Sequence, residues 1–311
     1  MFKVRYMRWL KARRIPAIKP SSNEFRVFEL PHEKIFKRGD YAIYLLRKID
    51  RSTLEVVEEI RKLDFVERVD YAGLKDKAAL TTQFISVKLK RDPRALERVE
   101  MEKCKLKFLW FGRKLAKGLL NGNLFDIWIR TKIESEKKLK QQISKLVEEL
   151  KERGFPNYFG PQRFGKNLDN HVKGYRLVKG EYRARKGETR ERLNFYLHAL
   201  QSFCFNEALS LYIKKIRKPL FRKVKLLGYD TKLGNSAFDR CYKLVLKRLK
   251  LKLNELHVPL FRLTAREGKR AAFVKPVRLS FEVKKNKVRL TFILPPGSYA
   301  TVLLNELFKF E

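Results

Sequence analysis

Strand-type alternation marks both ends of this 311-residue chain and fails in its middle. Phe25, Val27 and Glu29 alternate with Arg26, Phe28 and Leu30, and Phe125, Ile127 and Ile129 alternate with Asp126, Trp128 and Arg130. Near the other end, Leu279, Phe281 and Val283 precede Val288, Leu290, Phe292 and Leu294, with Lys284-Lys285-Asn286-Lys287 as the hairpin turn between them. A period of two is the mark of a strand. In the middle, apolar residues fall at helical spacing instead. Leu193, Leu197, Leu200, Cys204 and Leu211 predict a helix from Leu193 to about Ile216, and Phe238, Tyr242, Val245 and Leu249 a second one, capped by Ser236 or Asp239. A sheet domain with strands at both ends of the chain must let the intervening residues leave and return. The economical reading is an insertion. Residues 1–153 open a catalytic domain, 154–276 form an inserted, mostly helical domain, and 277–311 close the first domain.

Within the first segment, seven basic side chains and no acidic one occupy the first twenty residues, which end in Pro16 and Pro20. They read as an extended arm with Lys19 at its close. Tyr41 to Leu46 is an apolar run suited to a central strand. Ser52-Thr53-Leu54-Glu55 is a capping box that opens a helix to about Leu63, with Leu54, Val57 and Ile60 on one face. Asn121-Gly122-Asn123 is a turn signal. Ser135 caps a long helix carrying Leu139, Ile143, Leu146 and Leu150, which Gly154 and Pro156 end. At the other end of the chain, Pro295-Pro296-Gly297 stops the last strand before a closing helix from Ser298 to Phe310. Strands and helices alternate through the first half, which predicts an α/β or α+β body.

The chain carries 73 Lys+Arg against 34 Asp+Glu, a formal charge of +39, while 44% of its residues are apolar. Such an excess repels itself unless a polyanion neutralises it, and the apolar fraction is that of a folded protein, so nucleic acid is the expected partner. Lys214 to Lys252 holds fourteen basic and two acidic residues, read here as a basic, helical face for phosphates. No apolar run is long enough to span a bilayer, and the first fourteen residues alternate charged and apolar types rather than forming a signal-peptide core. The three cysteines and four histidines are scattered without metal-ligand spacing, so neither a zinc site nor a disulfide framework is expected. A reducing, cytoplasmic setting fits that usage, and the abundance of Lys, Arg and Glu fits a thermophile.

The stretch from Tyr71 to Gln83 carries the chemistry. Val66, Val69 and Tyr71 suggest a short strand, and Phe84 to Leu89 a half-buried one with Ile85, Val87 and Leu89 facing one way. Between them Gly73 permits a sharp turn. Asp76 then sits between Lys75 and Lys77, and neighbouring cations keep a carboxylate ionised, as a nucleophile or base must be. A solvated surface turn has the same pattern. Gly154 to Gly165 concentrates aromatic rings, glycines and Arg163, which suits a packed corner or an RNA surface. Asn123 and Phe125, two apart on a strand, share a face and could pair an edge-reading amide with a stacking ring, or be a turn residue and a core residue. Tyr299 and Phe25 are further rings that either stack or pack. No dinucleotide fingerprint, P-loop or serine elbow is present, so no nucleotide cofactor is expected.

In this order the motifs resemble the TruD family of RNA pseudouridine synthases. Ala72 to Gln83 matches Ala-Gly-x-Lys-Asp-Lys-x-Ala-x-Thr-x-Gln, and Gly122, Asn123 and Phe125 match Gly-Asn-x-Phe. Pro156 to Gly165 matches Pro-Asn-Tyr-Phe-Gly-x-Gln-Arg-Phe-Gly, and Leu294 to Thr301 matches Leu-Pro-x-Gly-Ser-[Phe/Tyr]-Ala-Thr. Lys19, Phe25, Val27 and Glu29 match an N-terminal Lys then Phe-x-Val-x-Glu, and Ser202, Phe205 and Asn206 fall on a further pattern of the middle domain. Glu24 stands where Asp is usual, and Asn305-Glu306 where Arg-Glu is usual. The resemblance implies an α+β fold, a pseudouridine-synthase catalytic domain with a mixed β-sheet interrupted by a helical inserted TRUD domain. It implies isomerisation of a uridine within tRNA, often uridine 13, with other RNAs open, without cofactor or metal.

By the same resemblance, Asp76 is the catalytic aspartate, attacking at the sugar C1′ or the base C6. Lys19, Phe25, Asn123, Phe125 and Tyr299 are substrate-binding, and Lys75, Lys77 and Arg163 contact RNA. Lys75, Lys77 and Lys19 would keep Asp76 ionised, and a closed cleft would keep water from the detached base. A monomer is expected. Two other readings compete: an inactive RNA-binding or chaperone protein of the same fold, and another base-modifying enzyme such as a methyltransferase, against which the missing cofactor fingerprint counts.

Overall fold

In a computed structural model, residues 2–116 and 118–311 are described. In chain order the strands are β1 Ile15–Ala17, β2 Phe25–Pro31, β3 Tyr41–Ile49, β4 Val66–Tyr71, β5 Leu80–Leu89, β6 Cys104–Gly112, β7 Leu120–Arg130, β8 Phe155–Pro156, β9 Lys223–Leu226, β10 His257–Val258, β11 Leu263–Thr264, β12 Gly268–Ala271, β13 Phe273–Val274, β14 Val277–Lys284, β15 Lys287–Leu294 and β16 Phe308–Phe310. The helices are α1 Thr53–Arg61, α2 Arg94–Glu97, α3 Glu136–Arg153, α4 Asn170–Val178, α5 Arg190–Ile216, α6 Ala237–Leu249 and α7 Ala300–Leu307. They fall into two compact units. A sheet unit comprises Arg13–Val147, Pro276–Gly297 and Phe308–Glu311, and a helical unit Met1–Ala12, Glu148–Lys275 and Ser298–Leu307.

The sheet unit is built on a mixed sheet in the order β14-β15-β7-β2-β5-β3-β6, with β4 paired to β5. Its one parallel pair among the described residues is β2 with β5; the other pairings are antiparallel. Ser52 caps α1 in a complete capping box with Glu55. Val56, Val57 and Ile60 pack on Tyr44, Leu46, Ile85 and Val87, whereas Leu54, expected on that face, is 44% exposed. Its position beside the cap turns it outward.

Several sequence expectations change here. Ile85, Ser86 and Val87 are all buried, so β5 is a two-sided central strand rather than a half-buried one. α1 covers the Ile85 and Val87 face, and on the other face the buried Leu115 N–H donates to Ser86 Oγ at 2.9 Å. Asn121-Gly122-Asn123 is no turn: it lies inside β7, where Gly122 and Asn123 pair with Leu30 and Glu29. The closing helix ends at Leu307, and Phe308–Phe310 becomes β16, parallel to β1, within the stretch read as an unpaired arm. β6 was not foreseen, although Cys104, Leu106 and Phe108 alternate there with Lys105 and Lys107.

The helical unit packs around α5, whose Leu197, Leu200, Phe203, Cys204, Phe205, Ala208 and Leu209 are fully buried. Ser236 caps α6. The basic stretch from Lys214 to Lys252 is only partly helical, because Lys223–Leu226 forms β9 against β12. The units do not follow the three sequence segments one for one. The backbone N–H groups of Trp9 and Leu10 donate to the Glu306 carboxylate at 3.0 Å, which places the first residues and α7 in one unit.

Candidate active site

Residues 72–79, between β4 and β5, form no repeating structure, so side chains that reach their main chain set their path. Three do so. Gln83 Nε2, on β5, donates to the Gly73 carbonyl at 3.4 Å. Thr53 Oγ1, at the first residue of α1, accepts from the Lys75 N–H at 3.0 Å and donates to Gln83 Oε1 at 2.8 Å. Lys48 Nζ, on β3, donates to the Asp76 carbonyl at 3.0 Å and to the Arg51 carbonyl at 2.6 Å. Asp76 is thus held between two strands by its backbone while its side chain is partly exposed. Gly73 is not a positive-φ turn, and a Cβ there would meet the Leu120 side chain at 3.1 Å.

The lysines flanking Asp76 each pair with a glutamate. Lys75 Nζ pairs with Glu29 Oε1 at 2.5 Å, with side chains 6% and 0% exposed, and Glu29 Oε2 accepts from the Phe84 N–H at 2.8 Å. Lys75 is therefore buried rather than presented to RNA. Lys77 pairs with Glu55 at 2.8 Å on the surface, and its hydrogen bond holds the Glu55 carboxyl down at about 2, helped by the Ser52 N–H. The buried cation on the Asp76 main chain is Lys48. Burial pulls its ammonium down to about 8, against the opposing attraction of Asp76. Lys19 is exposed, in the connection whose Ser22 carbonyl accepts from the Leu80 N–H at the end of the loop.

Cross-strand register assembles the rest, because paired residues share a face. Lys48, Thr81, Val27, Phe125 and Phe292 form one row across β3, β5, β2, β7 and β15. In the next row Glu29 stands opposite Asn123, so the partner of Lys75 neighbours the predicted base-reading amide. Asn123 Oδ1 is buried and has no hydrogen-bond donor among the described residues. Buried acceptors are normally satisfied, so this oxygen is a natural seat for a ligand N–H. Phe25 and Phe125 are 7% and 6% exposed, edge-to-face at 6.2 Å, and Phe125 stacks on Phe292 at 5.2 Å. They wall the site and offer little free ring surface.

Two predicted residues belong to the helical unit. Arg163 lies in the 3-10 turn Pro161–Phe164, donates from Nε to Ser202 Oγ at 3.0 Å, and sits over the rings of Phe159 and Phe195. Burial lowers its pKa. Tyr299 packs on Phe159 and against Gly160, where a Cβ would lie 2.7 Å from the ring. The Gly154–Gly165 stretch is mainly a packed corner: Phe155, Tyr158 and Phe164 are buried. Asn206 exchanges two 2.9 Å hydrogen bonds with the Phe159 backbone, replacing a neighbouring strand. Sequence reading missed Lys48, Thr53 and Gln83 as holders of the loop. A lysine on the same face of β3 as Tyr44 and Leu46 was the available signal.

The model of the tRNA pseudouridine synthase D (TruD) family matches residues 13–186 and 215–307. A tRNA pseudouridine synthase D of Mannheimia succiniciproducens is 30% identical over 88% of each chain, and that of Legionella pneumophila 29% identical over 98% of this chain and 99% of its own. A solved structure from Methanosarcina mazei that carries the TruD designation superposes with a TM-score of 0.74 at 21% identity, covering 98% of this chain and 96% of the other, a likeness of fold. Among the described residues no helix is long and apolar enough to cross a membrane.

Proposed function

Because the chain belongs to the TruD family of tRNA pseudouridine synthases, we propose that it isomerises one uridine of tRNA, uridine 13, with Asp76 as the nucleophile. The product has the atoms of the substrate. The C1′–N1 bond breaks, a C1′–C5 bond forms, C5 gives up its proton and N1 gains one. A carboxylate adding at C1′ or at C6 provides the temporary bond that lets the base turn. The observation that carries this reading is the three-point hold on the Asp76 loop beside Glu29 and Asn123. It fixes the main chain that carries Asp76, while Glu29, the partner of Lys75 in the same loop, stands opposite Asn123, whose amide oxygen lacks a donor among the described residues.

In this reading the target base leaves its stack and gives its N3–H to Asn123 Oδ1. Phe25 and Phe125 form the apolar wall, and Tyr299 is a further substrate-binding ring. Lys19, Lys77 and Arg163 meet RNA phosphates. The sheet residues act as the catalytic domain and 154–276 as the inserted TRUD domain, in a cytoplasmic monomer. The charge of +39 supports a polyanionic substrate. The test is Asp76→Asn on a tRNA transcript. Pseudouridine formation should vanish while tRNA affinity stays within about twofold of wild type; normal turnover by this variant would end the proposal.

A further inference from the structure

Lys48 is a buried charge that the proposed chemistry does not use. Its side chain lies in the β3 row between Cys104 of β6 and Thr81 of β5, and the residue is 1% exposed. Its hydrogen bonds go to two main-chain carbonyls rather than to a carboxylate: Arg51, in the turn that enters α1, and Asp76. A leucine would fill this row without desolvating a charge, and buried charged groups commonly cost more stability than apolar replacements do. Fold stability therefore does not explain a lysine here, whereas the Asp76 carbonyl does.

We propose that Lys48 is a positioning residue for Asp76, one ammonium tying the entry of α1 to the Asp76 carbonyl so that the carboxylate keeps its attacking place. This rests on Asp76 being the nucleophile. Thr53 and Gln83 pin the loop upstream, at Lys75 and Gly73, and Lys48 alone of the three holds the aspartate itself. A donor bearing a full charge makes the stronger bond to a carbonyl. The charged and titratable groups acting on it are Asp76 and Lys75 of the loop, Glu55 of α1 and Cys104 of β6. Burial pulls the Lys48 ammonium down to about 8, against the attraction of Asp76, which leaves the ammonium as the main form at pH 7.

The experiment compares wild type, Lys48→Met, Lys48→Arg and Asp76→Asn by single-turnover conversion of saturating tRNA transcript, tRNA affinity, and amide exchange of residues 72–79. Lys48→Met should lower the rate constant about 100-fold, the scale of a 1 Å misplacement. Affinity should stay within about twofold, and exchange in the loop should quicken. Lys48→Arg should recover at least about tenfold of the rate. A Met variant within about threefold of wild type overturns the inference, as does a rate loss matched by lost affinity or unaccompanied by faster loop exchange.

Should the Met variant fail to fold, the pH profiles of wild type and Lys48→Arg decide: the wild-type rate constant should drop between about pH 7 and about pH 9 at constant affinity while the Arg variant, which keeps its charge, drops less, and parallel profiles count against Lys48. An active Asp76→Asn refutes the nucleophile itself. An inactive one beside a fully active Met variant refutes only the role of Lys48.

Discussion

Removing Lys75 should destabilise the sheet unit more than any surface change, because it strands a buried carboxylate. The pair is 2.5 Å long, the Glu29 side chain is fully buried, and the Lys75 side chain is 6% exposed. In Lys75→Met, Glu29 keeps one donor, the Phe84 N–H at 2.8 Å. Breaking a buried pair from one side costs about 3–5 kcal/mol, because the remaining charge has lost its compensation. Lys75→Met combined with Glu29→Gln removes that charge and keeps an acceptor for Phe84. The double variant should recover about 2 kcal/mol of the loss, a coupling that only contacting residues show. Urea unfolding of the full chain carrying Trp9→Phe, followed by the fluorescence of Trp110 and Trp128, reports on the sheet unit that contains both. A loss below about 1 kcal/mol in the single variant, or a double variant no better than it, would refute the burial argument.

Lys48 also makes a pH prediction. Its ammonium titrates at about 8 in the fold against 10.5 in the free side chain, so between these values the unfolded chain holds a proton that the folded one lacks. Stability relative to Lys48→Met should therefore rise with pH across that window, by about 3 kcal/mol in all; urea midpoints measured at stepped pH check it. Gly160→Ala should push the Tyr299 ring aside, since the new methyl would sit 2.7 Å from it. Turnover of tRNA should fall severalfold with affinity nearly kept, and unchanged turnover would remove Tyr299 from the site. The affinity for tRNA should fall by at least about tenfold between 50 and 200 mM salt, as counterion release requires; filter binding over that range is the check, and a flat response would contradict a phosphate-driven complex.

Local signals in the sequence proved readable wherever neighbours alone decide structure. The capping box at Ser52 and Glu55, the Ser236 cap, and the hairpin turn before Lys287 all depend on residues within a few positions, and each formed. Where distant partners decide, the same reading failed. Asn121-Gly122-Asn123 became strand because β2 and β15 flank it. Phe308–Phe310 left its helix because β1 was available to pair. Lys75 and Lys77 pair with Glu29 and Glu55 from 46 and 22 positions away, contacts that no neighbouring residue announces.

By itself the sequence determined the family, the loop that carries Asp76, and the basic character that calls for RNA, since each is written in consecutive residues or in their sum. Tertiary structure alone decided what holds that loop. Lys48, Gln83 and Glu29 lie on three strands whose register brings their side chains to one face, and Thr53 reaches the same loop from α1. Hydrogen bonds act over about 3 Å, and no pattern along the chain encodes such a distance between residues so far apart.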